Sequence, residues 1–403
     1  MRLPTLISSV LGTAYLVAAL PAANIEARGT CGSFAPAGFC PASPTSTGPS
    51  SGPSSTPGSC TNPTIRKEWR TFSVDEKKAF LSAVKCLGSK PHNWDLVQSN
   101  TGPDIPNMMT DPSISMYDDM VFTHIDLNHH IHSTGWFFPW HRWYLNVYAR
   151  LLTTQCGYTG ALPYWDWTQD AADFEHATFW DADPNSGVGT WGNPNNDYQI
   201  EDGAWGLNSG FKLHYPSTHA IRRQFTPQPY LQFPRPYLLA DVNLLANETF
   251  TKDRLDASLF GFDGDFQGFQ KSFQDYQGPH AGVHLMVGAD LTGLCPGNAP
   301  ASCVPGESWS PNDPLFFMHH AMVDKTWYDW QNRASNKYLF QGGSTQMLDS
   351  LASYDAYPLG SAPWLSSTSI LPTGGWARFD TKSSVAIQDL FDTQNGYLCY
   401  TYQ

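Results

Sequence analysis

Gly278-Pro-His280-Ala-Gly-Val-His284-Leu-Met-Val287 and Asn312-Asp-Pro-Leu-Phe-Phe-Met-His319-His320-Ala-Met-Val-Asp324-Lys-Thr-Trp327 are the two stretches that decide how this chain folds. In the first, two histidines four residues apart project from one helical face, one turn above the other, so that both imidazoles can share a metal ion. In the second, a histidine pair opens a run in which Asp324 lies four residues beyond His320. That spacing places the carboxylate to hold a neighbouring group by a hydrogen bond just outside a metal's own ligands. A third cluster stands upstream: His124, His129, His130, His132 and His141. One histidine alone reads as an ordinary core or surface residue, but nine of the thirteen fall in these three groups.

The residues around the histidines narrow the chemistry. A hydrolytic zinc site of the His-Glu-x-x-His kind needs its glutamate as base, and here Ala281, Gly282 and Val283 fill the gap. A di-iron carboxylate bundle needs Glu-x-x-His pairs, and the chain contains none. Coordination by imidazole alone suits zinc or copper. Three histidines for each of two metals favours copper, because a four-coordinate structural zinc usually recruits cysteine.

Apolar periodicity predicts helices over Ser73 to Leu87, Met116 to Leu127, Trp140 to Thr153, Gly278 to Val287 and Asp313 to Arg333. Between them run long Gly-, Pro- and Asn-rich stretches, notably 181 to 215, too irregular for strands of any length. The expected fold is mainly α, with long surrounding loops and few short strands. A formal charge of -13 argues against nucleic acid or an anionic membrane as partner.

Residues 1 to 23 read as a secretory signal, with Arg2 before the mainly apolar Leu6 to Leu20 and Ala22-Ala23 as a small-residue exit. Residues 24 to 60 form a Pro-, Ser- and Thr-rich leader that cannot bury enough apolar surface to order itself. No second linker or fixed-period repeat follows, so 61 to 403 is expected to be one catalytic domain. Secretion permits disulfides among the eight cysteines. Cys31 with Cys40 and Cys295 with Cys303 would close local loops; Cys60 with Cys399 would tie the ends of the folded part, which leaves Cys86 with Cys156. The sequon Asn247-Glu-Thr249 marks a candidate glycosylated surface loop.

Tyr117-Asp-Asp-Met-Val-Phe-Thr-His124, Phe138-Pro-Trp-His141-Arg142 and Asn312 to Trp327 resemble the two copper-binding signatures of the tyrosinase, catechol oxidase and haemocyanin superfamily. The resemblance runs from about Thr61 to the end and is strongest to short, secreted fungal catechol oxidases and tyrosinases. It implies a four-helix bundle around a type-3 pair of copper ions, with His124, His132 and His141 on one and His280, His284 and His320 on the other. His319, His129 and His130 are the competing histidines. By the family pattern His319 stands behind the ligands, and His130 takes the place where many relatives carry a cysteine bonded to a ligand. No thioether is therefore expected.

The resemblance further implies oxidation of catechols to o-quinones by dioxygen. Relatives that hydroxylate monophenols strongly often carry Asn at the position of Ala281, so monophenolase activity is left open, with a tyrosinase or phenol monooxygenase acting on substituted phenols as the alternative. Haemocyanin-like oxygen binding and a structural dizinc bundle are more distant ones. Leu285 would form an apolar wall at the mouth of the site, suited to neutral or substituted phenols. Tyr400-Thr-Tyr402 matches the pair that closes the family's catalytic domain, and no lid domain is expected beyond it.

Overall fold

Helix α1, Val74–Leu87, begins at a reciprocal cap: Ser73 accepts from the backbone of Glu76, and Glu76 reaches back to the amide of Ser73. The same device, built from Ser115 and Asp118, starts α2, Met116–Ile131. Helix α3, Phe137–Cys156, ends at Gly157, whose φ of 69° closes the last turn. Then follow α4, Lys252–Gly261, α5, Phe266–Gln274, α6, Pro279–Val287, the single turn α7, Ala289–Thr292, and α8, Leu315–Gln331. This computed structural model describes residues 60–93, 96, 113–232, 241–342, 365–378 and 382–403, which all fall within one unit, Ser54–Gln403. The expected signal, the leader and the Cys31–Cys40 pairing lie outside the described residues.

Every position of α3 from Phe137 to Tyr148 is buried, as is every position of α8 from Leu315 to Asp324. Helices apolar on all sides belong at the centre of a fold, and these two pack against each other. Tyr148 stacks on Phe317 with centroids 3.6 Å apart. Helix α5 covers the pair with aromatics at helical spacing: Phe269 stacks on Phe138 at 5.0 Å and on Trp330 at 4.9 Å. Helices α2, α3, α6 and α8 carry the clustered histidines and form the bundle expected from the sequence.

Regular strand is confined, among the described residues, to β1, Thr64–Arg66, and β2, Tyr400–Tyr402, paired in parallel with Ile65 opposite Thr401. Three predicted disulfides are present: Cys60–Cys399, Cys86–Cys156 and Cys295–Cys303. The stretch 181 to 215 holds only 3-10 turns and isolated bridges. No helix among the described residues is long and apolar enough to cross a membrane. The sequon departs from the surface loop expected of it. Thr249 is fully buried, and the Asn247 Nδ2 donates to the Ala171 carbonyl at 2.9 Å.

Candidate metal centre

His124 lies in the middle of α2, His132 is the residue that ends this helix, and His141 sits on the second turn of α3. Ser133, with φ of 52°, turns the chain sharply between the two helices. The three rings gather with centroids 4.9 to 5.8 Å apart. On the other side α6 presents His280 and His284, and α8 presents the neighbours His319 and His320. These four and the first three form two groups in which one ligand atom per residue lies within 4.8 Å of the others. The groups meet where the His141 and His320 rings stack, 4.4 Å between centroids.

Hydrogen bonds decide which nitrogen each ring offers. His124 Nδ1 lies 3.1 Å from the Ser308 carbonyl, His141 Nδ1 2.8 Å from that of Phe137, and His284 Nδ1 2.7 Å from that of Leu291. A carbonyl can only accept, so each Nδ1 carries the proton and each Nε2 keeps its lone pair. The Nε2 atoms of His124 and His141 are buried without a hydrogen-bond partner, as are both ring nitrogens of His280. His284 Nε2 faces His320 Nε2 at 3.4 Å. Buried polar nitrogens left in this state are unfavourable, and a cation among them resolves it.

Burial is the largest cause holding the imidazoles of His124, His141, His280, His319 and His320 well below their ordinary proton affinity, and their mutual repulsion adds to it. Burial likewise brings His284 down to about 4. At neutral pH these rings are uncharged bases, the form that ligates a metal.

Gly282 explains the small residue between the two α6 histidines. A Cβ there would stand 1.8 Å from Thr249 Oγ1, so glycine lets α6 press onto the 3-10 turn Ala246–Thr249. The loop before α8 is held as firmly. Tyr117 donates to the Pro311 carbonyl at 2.7 Å, and Asp313 pairs with the buried Arg223 at 2.7 Å while accepting the Leu315 amide.

Asp324 makes no hydrogen bond to the imidazoles among the described residues. Its carboxylate instead joins Arg142, the residue after His141, to Arg66 of β1 and to the hydroxyls of Tyr400 and Tyr402 in β2. Tyr402 Oη is also 3.0 Å from the Ala321 carbonyl, directly after His320. The carboxylate thus holds groups next to the histidines, Arg142 after His141 and, through Tyr402, the backbone after His320, rather than the imidazoles themselves. Burial opposes the charge on Asp324, but the two guanidiniums prevail and hold it below the usual carboxylate range.

A cavity of about 340 Å³ opens onto His132, His280 and His284, with Ala281 and Leu285 in its wall. His319 does not line that cavity; its ring is 4.6 Å from that of His284 and 6.4 Å from that of Trp167. His130 is half-buried, and the side chain of His129 lies outside the described residues. Arg66 and Glu307 were not singled out from the sequence, because neither belongs to a motif. Arg142 follows His141 directly and could have been suspected as a buried cation awaiting an anion.

Two histidine groups facing each other in a helical bundle, with one cavity reaching both, define the class: a site whose residues could hold a pair of metal ions. Residues 114–333 match the common central domain of tyrosinase. The chain belongs to the tyrosinase family of copper oxidoreductases, whose substrates are phenols and dioxygen. It is 28% identical over 352 residues to the tyrosinase-like protein phomQ1 of Diaporthe leptostromiformis, covering 85% of this chain and 78% of that one. To the tyrosinase ustQ of Aspergillus flavus it is 26% identical over 357 residues, covering 85% and 80%. Among solved structures it resembles a mutant polyphenol oxidase of Thermothelomyces thermophila, with a TM-score of 0.56 and 22% identity over 84% of this chain and 88% of the other. At that identity the likeness concerns the fold.

Proposed function

We propose that this protein is a secreted polyphenol oxidase that converts catechols to o-quinones with dioxygen, using two copper ions, one on His124, His132 and His141 and one on His280, His284 and His320. The observation that carries this reading is the pair of adjoining histidine groups, buried and held neutral, with Nε2 atoms of His124, His141 and His280 left without a hydrogen-bond partner. Among the described residues no carboxylate or thiolate joins either group, which suits copper. Bound copper supplies the electron transfer: two catechols each give up two electrons and two protons, and dioxygen becomes two waters.

The chain's own residues supply position. Carbonyls of Ser308, Phe137 and Leu291 fix the rings of His124, His141 and His284. Phe316, 4.1 Å from the His320 ring and 5.1 Å from that of His124, packs against one ring of each group. Leu285 offers apolar surface to an aromatic ring. Ala281 has no polar atom with which to orient a water against a phenol hydroxyl, which favours oxidation of diphenols over hydroxylation of monophenols. Three disulfides suit an oxidising compartment, and with them we assign residues 1–23 to a signal, 24–60 to a leader and 61–403 to the catalytic domain.

Metal analysis is expected to find two coppers per chain. Methylcatechol should give quinone far faster than cresol, its matching monophenol. Two zincs and no copper, or no turnover of any catechol by copper-loaded protein, would sink the reading. His284→Ala should lose one copper and His319→Ala none; the reverse would reassign the ligand.

A further inference from the structure

Among the described residues, one charge of the cavity wall has neither an ion pair nor a hydrogen bond, although His284 lies within reach of its field. Glu307 opens the 3-10 turn Glu307–Asn312 and lines the cavity beside Pro305 and Gly306. It is half-buried, and among the described residues its carboxylate has no hydrogen bond or ion pair. Its position is nevertheless fixed. Gly306 donates to the Gly293 carbonyl at 3.0 Å, the Ser308 carbonyl holds His124, Pro311 is bound by Tyr117, and Cys295–Cys303 closes the loop behind it. Lys271 and Asp275 also line the cavity, but each is engaged in interactions of its own.

A carboxylate partly withdrawn from water and left without a partner is unfavourable, and a cation brought by a ligand reverses this. His280 and His284, at the buried end of the cavity, are where the hydroxyls of a phenol must point. Leu294 and Pro305 lie toward solvent. A substituent on the far side of the ring therefore extends along the wall that carries Glu307.

We propose that Glu307 is a specificity-determining residue that selects phenolic substrates bearing a cationic group, such as an alkylammonium, on the ring position remote from the hydroxyls. This rests on the catechol-oxidising reading above.

The test compares dopamine, ethylcatechol and dihydroxyphenylacetate, which are cationic, neutral and anionic catechols of similar size, at low ionic strength. The copper-loaded wild type should show the lowest KM for dopamine. Glu307→Gln should raise that KM about tenfold and leave ethylcatechol unchanged, and Glu307→Lys should turn the preference toward dihydroxyphenylacetate. A wild type that prefers the neutral or anionic catechol, or a Glu307→Gln variant that shifts all three alike, overturns the inference.

Calorimetric affinities of tyramine and ethylphenol for the copper-free protein separate this from the fate of the oxidase reading. If no catechol is turned over, that reading fails. Tighter binding of tyramine that vanishes in Glu307→Gln still supports the role of Glu307, and equal affinities overturn it.

Discussion

His219 faces Asp290 at 3.3 Å, and its Nδ1 lies 2.7 Å from the Ser217 carbonyl. Burial, the largest single effect, pulls its proton affinity down, but the charge of Asp290 and these contacts outweigh it, so the folded value rises above 6.5. The protonated form is therefore favoured by folding. Its stabilisation is complete below 6.5 and fades as pH climbs through the raised folded value. Wild type should lose melting temperature on that alkaline side relative to His219→Gln, and parallel pH curves for the two proteins would refute the assignment. Asp324 is a second decisive residue. Asp324→Asn would leave Arg66 and Arg142 buried without their anion, a loss of about 3–5 kcal/mol readable by urea denaturation, with weakened metal retention. A variant as stable as wild type would show that the tyrosine hydroxyls alone can hold the guanidiniums. The position of Asp324 one turn beyond His320 was legible in the sequence. Its bond to Arg66 spans 258 residues, and no local pattern reaches that far.

Helices carrying histidines were legible because apolar spacing and ligand spacing coincide in them. Their bounds moved mainly at α2 and α3, where the helix runs on to Ile131 and starts already at Phe137. Helices α4 and α5 went unpredicted: Gly, Asp and Gln in 252 to 274 mask them, although Phe266, Phe269 and Phe273 carry the helical period. Those rings are the floor on which α3 and α8 rest, so the omission removed a layer of the core while leaving the site intact. The contact between α6 and the Ala246–Thr249 turn also lay beyond sequence reasoning, since Gly282 reveals its purpose only when Thr249 is seen against it. Gly282→Ala is expected to destabilise by about 1–3 kcal/mol through overpacking and to reduce binding of one metal, with Thr249→Ala restoring part of both. Unchanged melting in Gly282→Ala would show that α6 has room to move.

At the scale of the molecule, Cys60–Cys399, the β1–β2 pair and the Asp324 cluster form one clamp across α8. The disulfide bridges 339 positions, so it removes much freedom from the unfolded chain. Replacing both cysteines by serine should lower stability by about 2–4 kcal/mol, checked by chemical denaturation, and a loss near zero would mean the strand pair suffices. This tie could be guessed from two cysteines at the edges of the folded part, whereas the cavity wall formed by 293 to 312 could not, because its shape follows from tertiary anchors such as Tyr117. The clamp also has a bearing on biosynthesis. A chain grows from its N-terminus and folds as it emerges, yet the strand that grips Asp324 and Ala321 ends at Tyr402. Every histidine of the two groups, and the packing of α3 on α8, therefore precedes in the chain the strand that completes the hold on α8. Closure of the clamp is thus later, in the order of synthesis, than the making of both histidine groups.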